Sequence, residues 1–335
     1  MEDVSRLAEV MIAKLREPIM HLGRFIASEA SIGVAAFLNH DASPSDLLKD
    51  ADIALYEAKA QGRNRVVTYC ATLREAIEKR SALLQEVREA LTKGEIIPFY
   101  QPKVCLSTGR VAGLEVLARW QHPFKGILTP AYFGAAFEDT RLALLLSESL
   151  LARAVSDLRS WLDAGLNPGR VAFNLSACEF SQPGLADDVL RVLSDAGIPP
   201  EHFEVEVTET VLLSRNPDSI TSILNRFHQH GISIALDDFG TGFASLSHLK
   251  KFPVDHIKID QSFVHKLQND EGDKAIVSTI IELGRKLGMR VTAEGVETES
   301  QKQLLQEWGA DFGQGYLFFK PIEASKIASI LRRDA

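Results

Sequence analysis

The chain has 335 residues, 45% hydrophobic and 24% charged, which is material for about two domains and too apolar for wholesale disorder. Its 37 Lys and Arg against 45 Asp and Glu leave a formal net charge of −8, which argues against a general binder of nucleic-acid polymers. Cys70, Cys105 and Cys178 are widely spaced and odd in number, so neither a disulfide framework nor a zinc ribbon is implied.

Residues 31–37 form a strand-like run, followed by a loop at 39–45. Ala51, Ala54, Leu55 and Ala58 then recur at helical spacing, and Gln61-Gly62-Arg63-Asn64 stops that helix before a second strand at 66–69. Seventy residues is thin for an independent domain, so 1–71 reads as part of one. Residues 72–93 are charged, with Leu83, Leu84, Val87 and Leu91 on one face, and are expected to form a connecting helix.

From residue 94 to 335 strands and helices alternate. Strands are expected at 96–101, 111–118, 171–176, 203–208, 232–237, 256–260, 290–294 and 312–317, with helices such as 217–230 and 274–287 between them. Eight strands over this length match a TIM-type (β/α)8 barrel. The link around Ser107-Thr108-Gly109-Arg110 is too short for a parallel crossover, so the first strand should run antiparallel to the second. No apolar stretch approaches the ~20 residues that cross a bilayer, and a cytoplasmic setting is expected, as is a start inside a longer parent that could itself be membrane-tethered.

Seven barrel strands each carry polar residues where an apolar one would serve structure better: Glu115, Asn174, Glu206, Asp237-Asp238, Lys258, Glu294 and Gln314. A closed barrel has no solvent-facing edge to explain them. Five are carboxylates, and five like charges cannot all ionise together without cations. Oxygen ligands without Cys or His suit Mg²⁺ or Mn²⁺, and two such ions ~3.5–4 Å apart form a clamp for displacement at phosphorus. Adjacent aspartates at a strand end should point to opposite sides, one able to bridge two ions. Lys258 suits a phosphate oxygen, or else a structural salt bridge. His228, His230, His248, His256 and His265 show no converging spacing, and surface or cap roles are expected for them. Trp120, Trp161 and Trp308 are expected as core or half-buried anchors.

These residues stand in motifs that resemble the EAL-domain family of cyclic-di-GMP phosphodiesterases from about residue 95 onward. The motifs are Phe99-Tyr100-Gln101-Pro102, Gly113-Leu114-Glu115-Val116-Leu117-Ala118-Arg119-Trp120, Asn174-Leu175-Ser176 and Glu206-Val207-Thr208-Glu209. Asp237-Asp238-Phe239-Gly240-Thr241-Gly242, Lys258-Ile259-Asp260, Ala293-Glu294-Gly295-Val296-Glu297 and Gln314-Gly315-Tyr316-Leu317-Phe318 complete them. The resemblance implies a modified TIM barrel with one antiparallel strand, and two Mg²⁺ or Mn²⁺ ions held by Glu115, Asn174, Glu206, Asp237, Asp238 and Glu294. It implies catalytic roles for Glu294 as a possible base, for Lys258, and for Gln314, which would support the attacking water. Glu209 would steady the loop at 238–247, and Arg119, Asp260 and Gln101 would contact the dinucleotide. The activity implied is hydrolysis of cyclic di-GMP to linear pGpG, and a homodimer through the barrel is the usual assembly. The rival is a catalytically inactive cyclic-di-GMP receptor that passes the signal to a partner. One departure is Val116, where the family signature has Ala.

Residues 1–71 resemble the C-terminal part of a GGDEF domain through Ser31-Ile32-Gly33-Val34-Ala35, Ala51-Asp52-Ile53-Ala54-Leu55-Tyr56-Glu57-Ala58-Lys59 and Gly62-Arg63-Asn64-Arg65. The Gly-Gly-acid-Glu-Phe loop is not in the chain, so no cyclase site is expected, and a sensory or membrane module would lie upstream in the parent.

Overall fold

A computed structural model describes residues 2–22, 24–36, 43–213, 217–242, 249 and 251–334. His248, most of the expected loop at 39–45 and most of the loop after Asp238 lie outside these residues. The chain divides into two units, 1–86 and 87–335, the division falling within the helix Ala71–Thr92.

In the first unit the strands Ile32–Val34 and Val66–Thr68 pair in parallel. The helix Pro44–Ala60 joins them, opened by Ser43, whose hydroxyl accepts from the Asp46 amide at 3.2 Å. A helix at Glu2–Arg16 and an antiparallel pair of Ile19–His21 with Arg24–Ile26 precede them; sequence reading missed both, although Val4, Leu7, Ala8, Met11, Ile12 and Leu15 stand at helical spacing.

The second unit is a closed eight-stranded barrel. Its strands are β1 (Ile96–Cys105), β2 (Val111–His122), β3 (Arg170–Asn174), β4 (Phe203–Thr208), β5 (Ser233–Phe239), β6 (His256–Ile259), β7 (Arg290–Ala293) and β8 (Phe312–Gly313). β2 through β8 pair in parallel in chain order, and β1 closes the ring antiparallel to both β2 and β8. The short link therefore dictates the direction of β1, as the sequence indicates.

β1 tolerates Pro98 and Pro102 because its β8-side edge is paired only at Phe99, Tyr100, Val104 and Cys105. β8 is shorter than the expected 312–317. Gly315, at φ 156°, lies so close to the Val296 backbone that a Cβ would sit 2.2 Å from its carbonyl oxygen, and the chain turns away. Outside the strands, helices such as Thr140–Asp163 bury Leu142, Leu146, Leu150 and Trp161 against the barrel. Trp120 and Trp161 are buried and Trp308 is half-buried, as expected. Among the described residues no helix is long and apolar enough to cross a membrane.

Candidate active site

Side chains alternate along a strand, so Glu204 and Glu206, or His256 and Lys258, turn to the same face. In the barrel that face is the interior, and the later residue of each parallel pair lies nearer the mouth. In register, Gln101 of β1 is opposite Glu115 of β2, and Asn174 of β3 is opposite Glu206 of β4.

Lys258 ties the mouth together. Its side chain is 1% exposed, and Nζ lies 2.7 Å from Glu294 Oε1, 2.8 Å from Glu206 Oε2, 3.1 Å from Asp237 Oδ1 and 3.4 Å from Glu115 Oε2. Gln314 Nε2 donates to Glu115 Oε2 at 2.5 Å and to Gln101 Oε1 at 3.2 Å, while Gln101 Nε2 donates to the Phe319 carbonyl at 3.0 Å. Asn174 Nδ2 donates to Glu115 Oε1 at 3.1 Å. The group opens into a cleft of about 320 Å³ walled by Gln101, Glu115, Arg119, Asp237, Glu294 and Gln314. Arg119 is buried in that wall, its Nη1 donating to the Ala118 carbonyl at 2.8 Å and its guanidinium over the Phe99 ring. Val116, the departure from the family signature, is buried and follows Glu115 directly, so it turns to the opposite side of β2.

The aspartate pair behaves differently from a regular strand end. Asp238 has φ 54°, and the register of β5 against β6 shifts between Leu236 and Phe239. That left-handed residue breaks the alternation. Instead of pointing to opposite sides, Asp237, Asp238 and Glu294 each bring a carboxylate oxygen within 4.8 Å of the others. Asp260 caps the helix Gln261–His265, accepting from the Ser262 amide at 2.9 Å, and its charge still reaches Asp238. Burial, Asp237 and Asp260 together push Asp238 up to about 6.

The electrostatics follow from crowding acids around one cation. Burial opposes charge on Lys258, but Asp237, Glu115, Glu206 and Glu294 overcome it and hold the ammonium well above its ordinary value. Burial and the neighbouring Glu115 push Glu206 well up, whereas Lys258 and Gln314 outweigh burial at Glu115 and hold it down. The residues fit a divalent metal: the donors are hard oxygens, and Glu206 Oε1 is buried with no hydrogen-bond partner among the described residues. Asn174 would present its carbonyl oxygen to a metal after an amide flip.

Glu209 lies just past β4, 5% exposed, and its Oε1 accepts from the Gly240 amide at 2.9 Å. Gly242 is packed so closely on the same carboxylate that a Cβ would sit 2.2 Å from Oε2. The first residues after the aspartate pair are thus held by Glu209.

A second charged layer lies one pleat deeper in the barrel, and sequence reading missed it. Lys103, Glu204 and His256 are all buried; Lys103 pairs with Glu204 Oε1, and His256 Nδ1 lies 2.7 Å from Glu204 Oε2. His256 is therefore an interior residue, a correction to the expected surface or cap role. His228, His230 and His265 are exposed, as expected. Period-two counting from Gln101, Glu206 and Lys258 would have found all three members.

Burial pushes Glu294 up to about 8 in the metal-free protein, against the pull of Lys258 and with help from Asp237 and Glu115. Its folded value thus exceeds its ordinary 4.5, so between these limits the folded state binds more protons than the unfolded one. Stability from this group is present below about 4.5 and is lost as pH rises toward 8. In EDTA, Glu294→Gln should raise Tm relative to the native chain more at pH 8 than at pH 5. Melting curves that stay parallel across this range would refute the assignment.

Comparison with known proteins is consistent with this geometry. A family model of the EAL domain matches residues 84–321, and one described as diguanylate cyclase, GGDEF domain, matches residues 1–65. The bifunctional diguanylate cyclase/cyclic di-GMP phosphodiesterase MucR of Pseudomonas aeruginosa is 37% identical over 97% of this chain and 47% of its own length. The cyclic di-GMP phosphodiesterase NbdA of the same organism is 36% identical over 97% of this chain and 42% of its own. The chain thus spans about half the length of the curated relatives it matches. The solved MucR phosphodiesterase in complex with c-di-GMP superposes with a TM-score of 0.70 at 40% identity, covering 73% of this chain and 99% of that one.

Proposed function

The chain belongs to the EAL domain family, with a partial GGDEF segment ahead of its barrel, and on that premise we propose that it hydrolyses cyclic di-GMP to linear pGpG with two Mg²⁺ or Mn²⁺ ions. The observation that carries this reading is Lys258 buried among Glu115, Glu206, Asp237 and Glu294 at the mouth of the barrel. Glu115, Asn174, Glu206, Asp237, Asp238 and Glu294 would hold the metal. Bound divalent ions supply positive charge that withdraws electrons from phosphorus and promotes ionisation of water.

The chain's own residues do the rest. Gln101, Arg119 and Asp260 orient the dinucleotide, Arg119 offering its guanidinium to a phosphoryl oxygen. Gln314 fixes Glu115 and orients the water. Glu294 takes a proton from that water as its oxygen bonds to phosphorus and the P–O3′ bond breaks; the departing O3′ takes up a proton from solvent, leaving a 5′-phosphate on one guanosine and a 3′-hydroxyl on the other. Lys258 stabilises the negative charge that develops on the phosphoryl oxygens. The division of the chain into 1–71, 72–93 and 94–335, a homodimer through the barrel, a cytoplasmic setting and an upstream sensory module belong to the same proposal.

Incubating the protein with cyclic di-GMP and following the products by chromatography tests it. We expect pGpG with Mg²⁺ or Mn²⁺, little turnover with Ca²⁺, whose larger and looser shell spoils two-metal spacing, and none in excess EDTA. Full activity in EDTA would overturn the metal requirement. Tight binding of cyclic di-GMP with no product under any cation would make the chain a receptor instead.

A further inference from the structure

The deeper layer of Lys103, Glu204 and His256 has no part in the reaction just described, yet it is fully enclosed by the barrel. Stability gives little reason for it, because apolar residues that fill the same volume often do as well as a buried ion pair or better. Its arrangement supplies another reason. Lys103 pairs with Glu204 and also lies 3.8 Å from Glu206 Oε1, the buried oxygen that has no hydrogen-bond partner among the described residues. The other oxygen of the same carboxylate, Oε2, is held by Lys258 at 2.8 Å. Glu206 is therefore addressed by two ammonium groups, one on each oxygen, Lys258 beside it at the mouth and Lys103 from one pleat deeper. Glu204 fixes Lys103 through Oε1, and His256 Nδ1 lies 2.7 Å from its Oε2 without making a hydrogen bond.

We infer that Lys103 is a positioning residue that sets the orientation of the Glu206 carboxylate for divalent-metal binding, and that Glu204 holds Lys103 at the height this requires. The inference rests on the reading of Glu206 as a metal ligand. Residues that orient metal ligands without touching the metal typically change metal affinity or activity by about 10–100-fold when removed.

The test uses the full chain with Mn²⁺ as probe and no nucleotide. Mn²⁺ affinity is measured by calorimetry for the native protein, Lys103→Met, the charge-balanced pair Lys103→Met with Glu204→Gln, and Glu206→Gln. Lys103→Met should weaken Mn²⁺ binding about 10–100-fold, and the paired variant should stay weak although its buried charge is balanced. If Lys103→Met fails to fold, the paired variant alone decides. Native Mn²⁺ affinity in the paired variant would overturn the inference, because Lys103 would then serve only to neutralise Glu204. Unchanged affinity in Lys103→Met would overturn it equally. Glu206→Gln separates the two levels: if it too binds Mn²⁺ normally, the ligand reading itself fails. If it binds weakly while Lys103→Met does not, only the positioning role is wrong.

Discussion

Lys258→Met should lower kcat for cyclic di-GMP by on the order of 100–1,000-fold, the loss typical of removing one donor that faces charge developing in the transition state. The same change has a second consequence that a purely catalytic role would not produce. Glu206, Asp237, Glu294 and Glu115 all lie within 3.4 Å of this ammonium, and methionine leaves them facing one another in a buried site. Breaking a buried pair from one side costs on the order of 3–5 kcal/mol, and crowded acids answer by taking up protons. In EDTA the variant should therefore melt well below the native chain, with the gap widening above neutral pH. Saturating Mg²⁺ should recover most of that Tm, since it binds only the folded state, and should not recover turnover. A variant with near-native kcat would remove Lys258 from the mechanism.

Glu209→Ala should cost about 100-fold in kcat without removing a metal ligand. The residue acts through the backbone: its Oε1 holds the Gly240 amide at 2.9 Å, two residues past Asp238. Asp238 is in the left-handed region that non-glycine residues seldom occupy, so its position depends on restraint from the flanking chain. Released from Glu209, the aspartate would relax and its carboxylate would leave the group it forms with Asp237 and Glu294. Glu209→Gln keeps an acceptor and should retain much of the activity. Gly242→Ala approaches the same carboxylate from outside, where a Cβ would sit 2.2 Å from Oε2, and should reproduce part of the loss. Near-native kcat in Glu209→Ala at ordinary Mg²⁺ would mean that the loop holds itself.

The barrel was legible because its strands are short apolar runs separated by helices, and because a five-residue link leaves no room for a crossover. Strand ends were less legible. β8 stops at Gly313 because of a backbone approach at Gly315 that hydrophobicity does not encode. The mouth was legible because each polar residue interrupts an apolar strand. Two features escaped for a common reason, which is that both depend on side-chain direction. The expectation that Asp237 and Asp238 diverge follows from regular alternation, and one positive φ cancels it. His256 read as a surface residue because histidine spacing was sought along the chain, whereas its partner Glu204 is contributed by another strand.

The reversed first strand has a consequence for how force and strain enter the barrel. In an all-parallel barrel the chain arrives at the floor and must climb a whole strand to reach the mouth. Here Ile96 is opposite Trp120, near the mouth end of β2, and β1 descends from there to Cys105. The polypeptide is thus admitted at the reactive rim, and Gln101 is met on the way down before Lys103. A tug or twist transmitted along the backbone before Ile96 is delivered first to the ring of residues around the cleft and only afterwards to the floor. The covalent lever arm between incoming chain and reactive rim is half a strand long, because one connection was made as a hairpin and not as a crossover.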